Sequence, residues 1–131
     1  MSDVKILVVE DNPLNLELTA DILEAAGYTV LQADNAERGI ALARTERPAL
    51  ILMDVRLPGM DGLRATEVLK GEPETREIPV VALTAHAMKG DEDKALAAGC
   101  KGYITKPISA RALPGEVAAV LSPGAADQRL P

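Results

Sequence analysis

Asp54 ends an apolar run, Ala49-Leu50-Ile51-Leu52-Met53, and opens the string Asp54-Val55-Arg56-Leu57-Pro58-Gly59-Met60-Asp61-Gly62. A carboxylate at the mouth of a buried strand costs desolvation free energy unless it is paired or holds a ligand. Glu10 and Asp11 close a second apolar run, Ile6-Leu7-Val8-Val9; Thr84 closes a third and Lys106 a fourth. Three acids, a hydroxyl and an ammonium at the ends of successive strands suit one metal ion and one phosphoryl group.

Three carboxylates converging in one crevice repel one another, and a hard divalent cation relieves that repulsion. Oxygen-only ligands favour Mg²⁺, with Mn²⁺ able to substitute, over Zn²⁺. Mg²⁺ keeps several waters and is held by one or two carboxylates, which leaves one Asp free to attack a phosphoryl group and form an acyl phosphate. The charge that develops on the transferring group would be met by the cation, the Lys106 ammonium and backbone N–H groups near Arg56 and Ala85. Thr84 would donate its hydroxyl, and the small Ala85 would keep the approach to Asp54 open. Each residue alone has an ordinary explanation. Glu10-Asp11 would complement a helix dipole, Asp54 would serve a turn, Thr84 would be a β-branched strand residue and Lys106 a solvated surface lysine. Their joint placement at the ends of strands in one sheet favours a site.

The elements that must position them alternate along the chain. Strands are expected at Lys5–Val9, Thr29–Ala33, Leu50–Met53, Val80–Thr84 and Gly102–Thr105. The first, third and fourth are apolar almost throughout, as parallel strands covered on both faces must be. The second alternates better and belongs at or near an edge. Asn12-Pro13 is a cap followed by proline at the first helical position. Leu16, Ala20, Leu23 and Ala26 then recur at helical spacing until Gly27. Asn35 caps a second helix with Ala36, Ile40, Leu42 and Ala43 on its apolar face, and Pro48 ends it. Leu63, Thr66, Val68 and Leu69 serve a third helix, ended by Gly71 and Pro73. A short fourth helix spans Gly90 to Ala98, and the last follows Ser109. Five βα units in order predict an α/β, flavodoxin-like, doubly wound five-stranded parallel sheet of order 2-1-3-4-5 with helices on both faces. Ligands in such sheets bind at the carboxyl ends of strands beside the switch point, here between strands one and three. Glu10, Asp11 and Asp54 stand there.

The 131 residues suit one domain, expected over 1–121, with 122–131 as a flexible tail. Aromatic content is 2%, with no Phe or Trp, so the core must be built from Leu, Ile, Val, Ala and Met. A net charge of −6 counts against a nucleic-acid surface. The single Cys100 excludes an internal disulfide, fits a reducing compartment and reads as a small buried hydrophobe. Met1-Ser2-Asp3 leads straight into a strand, and no apolar run nears the roughly 20 residues that span a bilayer. A cytoplasmic protein without membrane insertion is expected.

From about Lys5 to Leu121 the chain resembles bacterial response-regulator receiver domains. The resemblance rests on Ile6-Leu7-Val8-Val9-Glu10-Asp11-Asn12, on Leu52-Met53-Asp54 through Gly62, on Val81-Ala82-Leu83-Thr84-Ala85 and on Lys106-Pro107. It implies that Asp54 is the phosphoacceptor and that Glu10 and Asp11 hold Mg²⁺ with Asp54 and the Arg56 carbonyl. It implies further that Lys106 pairs with the phosphoryl group, with a cis peptide before Pro107, that Thr84 is the switch hydroxyl and that Tyr103 is the switch aromatic. His86 would border the acyl phosphate, as Arg56 would. The implied partners are a histidine kinase or histidine phosphotransfer protein and a downstream protein target. The implied assembly is a monomer or a weak phosphorylation-dependent dimer. Thr84 through Glu92, Ala98-Gly99-Cys100 and Tyr103 through Ser109 look most like the single-domain branch typified by the cell-division regulator DivK, and receivers of hybrid kinases look similar. Such a chain is a signalling switch rather than an enzyme, with only self-phosphorylation and self-dephosphorylation expected.

One departure from the family pattern is Pro114-Gly115, inside the expected last helix. Proline removes a backbone donor and Gly costs about 1 kcal/mol against Ala in a helix interior. A shortened or kinked last helix, starting properly near Pro114, is therefore expected. Two rival functions are an Mg²⁺-dependent phosphatase of the haloacid-dehalogenase type and a receiver-like scaffold that is never phosphorylated. The first normally carries an Asp-x-Asp pair at its first strand, where this chain has Glu10-Asp11. The intact acids, Thr84 and Lys106 count against the second.

Overall fold

The computed structural model describes residues 4–85 and 89–121. His86 and the tail 122–131 lie outside the described residues. Strands β1 (Lys5–Val9), β2 (Thr29–Ala33), β3 (Leu50–Asp54), β4 (Val80–Thr84) and β5 (Gly102–Thr105) form one parallel sheet of order β2-β1-β3-β4-β5. Helices α1 (Pro13–Ala25), α2 (Ala36–Glu46), α3 (Gly62–Lys70), α4 (Lys89–Ala98) and α5 (Leu113–Leu121) connect and follow the strands.

Side chains alternate across the sheet, so continuous apolar strands feed two cores. Leu7, Val9, Ile51, Met53, Val80 and Ala82 pack on one face with Ile40, Ala43, Ala65 and Leu69 of α2 and α3. Ile6, Val8, Leu50, Leu52, Val81 and Leu83 pack on the other with Leu23 of α1 and Leu113 and Val117 of α5. Aliphatic residues fill both layers, as the near absence of aromatics requires.

The helix starts follow capping chemistry. Asn12 accepts from the Leu14 and Asn15 amides with Pro13 next in line, and Asn35 accepts from Arg38. Asp61 accepts from the Arg64 amide at 2.8 Å and caps α3, a role the sequence reading did not assign. Gly27 has φ +101 beyond α1, which favours glycine at that stop.

Three expectations are adjusted. β3 runs through Asp54, one residue past the expected end. Ala26 is exposed because it is the C-cap of α1; Thr19 takes a buried place instead. α4 begins at Lys89 rather than Gly90. A turn held by the Ser109 carbonyl and hydroxyl precedes α5, which starts at Leu113. The shortened last helix is thus as expected. Pro114 stands second, where a missing N–H leaves no helical bond unmade.

Candidate functional site

Register decides what meets at the carboxyl ends. Val9 pairs with Met53, so Glu10 is level with Asp54. Thr84 pairs with Thr105, so Lys106 follows one step beyond. Glu10 is 2% exposed and Asp54 4%, while Asp11 is open to solvent. One carboxylate oxygen from each of the three lies within 4.8 Å of the others.

Lys106 Nζ sits between the two buried acids, 2.6 Å from Glu10 Oε1 and 2.8 Å from Asp54 Oδ2. The second oxygen of each acid accepts from a backbone amide two residues ahead. Asp54 Oδ1 takes the Arg56 N–H at 3.0 Å, and Glu10 Oε2 takes the Asn12 N–H at 3.2 Å. These local turns hold the second oxygen of each carboxylate through the backbone. The Lys106 amide donates to the Thr84 carbonyl at 2.7 Å, and the Lys106-Pro107 peptide is cis.

The electrostatics are lopsided. Burial pushes the Glu10 carboxyl up to about 7, sharing a hydrogen bond with Asp54 adds to that, and Lys106 and the Asn12 amide oppose it. Burial alone would lower the Lys106 pKa, but its bonds to Asp54 and Glu10 outweigh burial and raise it. The two rises have different causes: burial leads at Glu10, with Asp54 adding to it, whereas the paired carboxylates lead at Lys106. With three acids ionised the excess is two charges. An all-oxygen set with that excess fits a hard divalent cation.

Thr84 ends β4 and is buried, and the exposed Ala85 follows it. A cavity of about 320 Å³ beside the acids is lined by Asn15, Ala85, Lys106, Pro107 and Ile108. Asn15 had no sequence signal; its place at this mouth comes from the first turn of α1. Tyr103 is level with Ala82, two residues back from Thr84, and is 37% exposed on the edge strand. It lines a groove of about 690 Å³ with Leu96, Thr105, Pro107 and Glu116. The structure therefore gathers Glu10, Asp11, Asp54 and Lys106 in one cluster, sets Thr84 and Ala85 at the neighbouring strand end, and leaves Tyr103 at the edge.

Residues 6–118 match the response regulator receiver domain family. The chain belongs to that family. It is 50% identical over 104 residues to the polar-differentiation response regulator DivK of Brucella anthropi, covering 79% of this chain and 85% of that protein. Among solved structures, the receiver domain of a sensor histidine kinase from Pseudomonas aeruginosa has a TM-score of 0.80 and 35% identity, covering 92% of this chain and 96% of that one. That receiver has a magnesium ion coordinated in its active-site cleft. A CheY-like receiver domain protein from Methanospirillum hungatei has a TM-score of 0.86 and 30% identity, covering 96% and 99%. As a receiver domain, this chain is a component of two-component signalling, a family of switches.

Proposed function

We propose that the chain works as a stand-alone receiver that accepts a phosphoryl group on Asp54 and answers by changing a protein-binding surface. The donor is a histidine kinase or histidine phosphotransfer protein. Glu10, Asp11, Asp54 and the Arg56 carbonyl would hold Mg²⁺, which when bound screens charge on the phosphoryl oxygens; Mn²⁺ would serve in its place. The observation that carries the reading is the Lys106 ammonium bridging Glu10 and Asp54 at 2.6 and 2.8 Å. It supplies a fixed positive charge at the oxygen that would attack. The 85% coverage of a DivK relative supports the stand-alone reading. The likeness to a sensor kinase's receiver favours a second, in which the domain serves within a hybrid kinase.

In the forward step an Asp54 carboxylate oxygen attacks phosphorus. The new O–P bond forms as the donor's N–P bond breaks, and the electron pair leaves on the imidazole nitrogen, which water then protonates. Lys106, the Arg56 and Ala85 amides and the Thr84 hydroxyl would donate to the equatorial oxygens. Thr84 then turns toward the acyl phosphate and Tyr103 moves into the space it leaves. A local charge change thereby biases a two-state element. Driving it from mostly inactive to mostly active needs about 5 kcal/mol of differential interaction.

The groove beside Tyr103 is the surface we assign to the downstream protein. Self-phosphorylation and self-dephosphorylation are the only chemistry in this reading, so the protein is not an enzyme acting on a separate substrate. A monomer, or a weak dimer on phosphorylation, suffices for it. Among the described residues no helix is long and apolar enough to cross a membrane. The single Cys100 and the proposed donor agree with a cytoplasmic site of action. The test is amide chemical shifts before and after phosphorylation by a small phosphodonor with Mg²⁺. Shifts at Thr84 and Tyr103 support the switch; an unchanged spectrum there sinks it.

A further inference from the structure

α3 begins hard against the end of β3. The Gly62 amide donates to the Val55 carbonyl at 3.0 Å. A Cβ placed on Gly62 would stand 1.9 Å from the Asp54 carbonyl oxygen, 2.8 Å from its carbonyl carbon and 3.0 Å from the Met53 side chain. The obstacle is backbone at the end of a fully buried central strand, so it cannot swing aside as a side-chain tip can. Among the described glycines, Gly39 and Gly99 come next, each meeting a side-chain carbon at 2.7 Å. Gly27, Gly59 and Gly99 have positive φ; Gly62 does not. What Gly62 supplies is therefore space rather than an unusual backbone conformation.

The residues around this contact keep it in place. Asp61 caps the helix through the Arg64 amide at 2.8 Å. The fully buried Thr66 donates its hydroxyl to the Gly62 carbonyl at 2.8 Å. The loop pinned between β3 and α3 carries Arg56, whose amide holds Asp54 Oδ1. Moving the first turn of α3 would displace the Asp54 peptide and the Arg56 donor together.

We infer that Gly62 is a positioning residue for Asp54: its missing side chain lets the first turn of α3 bear on the Asp54 peptide, which fixes the carboxylate against the Arg56 amide. Its consequence for phosphoryl transfer rests on the proposed role of Asp54. The test compares Gly62→Ala with Gly99→Ala, a positive-φ glycine at the opposite end of the sheet. Three quantities are read on each: Mg²⁺ affinity by calorimetry, phosphoryl uptake from acetyl phosphate, and hydrogen exchange of the Arg56 amide relative to core amides of β1. Gly62→Ala is expected to weaken Mg²⁺ binding and slow uptake by at least about tenfold, since small misplacements of reacting groups are costly. Arg56 should exchange selectively faster. Gly99→Ala should lower Tm and leave all three unchanged. A Gly62→Ala protein that loses stability but keeps wild-type Mg²⁺ affinity, uptake and Arg56 exchange would overturn the inference. If Gly62→Ala does not fold, Asp61→Ala loosens the same turn without adding an atom. Faster Arg56 exchange with weaker Mg²⁺ binding then supports the inference, and wild-type behaviour overturns it. Should wild type itself take no phosphoryl group, the proposed function fails, while the Mg²⁺ and exchange measurements still decide the role of Gly62.

Discussion

Lys106 and Lys70 are two half-buried lysines at opposite ends of one sheet, and the fold treats them in opposite ways. Lys70 Nζ donates to the carbonyls of Arg76 and Ile78, at 3.1 and 2.6 Å, where the chain enters β4. Burial lowers its pKa, because carbonyl dipoles do not repay the desolvation of a full charge. Lys106 meets two carboxylates, and its pKa rises despite burial. At the amino end of the sheet a lysine closes a seam of neutral backbone acceptors. At the carboxyl end a lysine is too little, and the surplus negative charge invites a second cation. Here the cluster marked for a ligand is the one in which carboxylates outnumber the ammonium between them, and not the one in which an ammonium meets neutral acceptors.

Breaking each lysine separately sharpens the contrast. Lys106→Met should cut phosphoryl uptake by about 10²-fold, the scale for losing one preorganised donor to developing charge. It should also tighten Mg²⁺ binding, because two carboxylates lose their competing ammonium. Intact mass against time and calorimetry check the two effects. Lys70→Met should leave uptake unchanged and destabilise the fold by about 1–3 kcal/mol, since two carbonyls lose their donor. Denaturant unfolding reads that cost. Equal effects of the two variants on uptake would erase the distinction between the ends.

An effect of similar size to that of Lys70→Met is expected in pH dependence. Glu10 titrates at about 7 in the fold against an ordinary 4.5. A raised acid is favourable to the fold while protonated, so its contribution is complete below pH 4.5 and is lost as pH rises through about 7. In chelator, wild type should therefore lose stability relative to Glu10→Gln between pH 5 and pH 8, by about 2 kcal/mol. Mg²⁺ should offset the loss in wild type. Thermal unfolding at the two pH values, with and without cation, decides it.

Much of this was legible in the chain because the relevant costs are local. Acids that close apolar runs declare themselves, and the parallel order follows from strands apolar on both faces. Pro114 announced the late start of α5, since proline fits only the first turn. The remainder depends on approach in three dimensions. Ala26 continues the period of α1 but falls past the last turn. Lys70 looks like any lysine at a helix end until two carbonyls close on it. Gly62 sits in a string whose acids draw the eye, and only the 1.9 Å approach to the Asp54 carbonyl shows what its lack of a side chain permits.

The most direct measurement is intact mass after incubation with acetyl phosphate and Mg²⁺, for wild type and Asp54→Asn. A single phosphoryl adduct is expected on wild type, absent without Mg²⁺ and absent in Asp54→Asn. An adduct of equal yield on Asp54→Asn would place the phosphoryl group on another residue and contradict the assignment of Asp54 as acceptor.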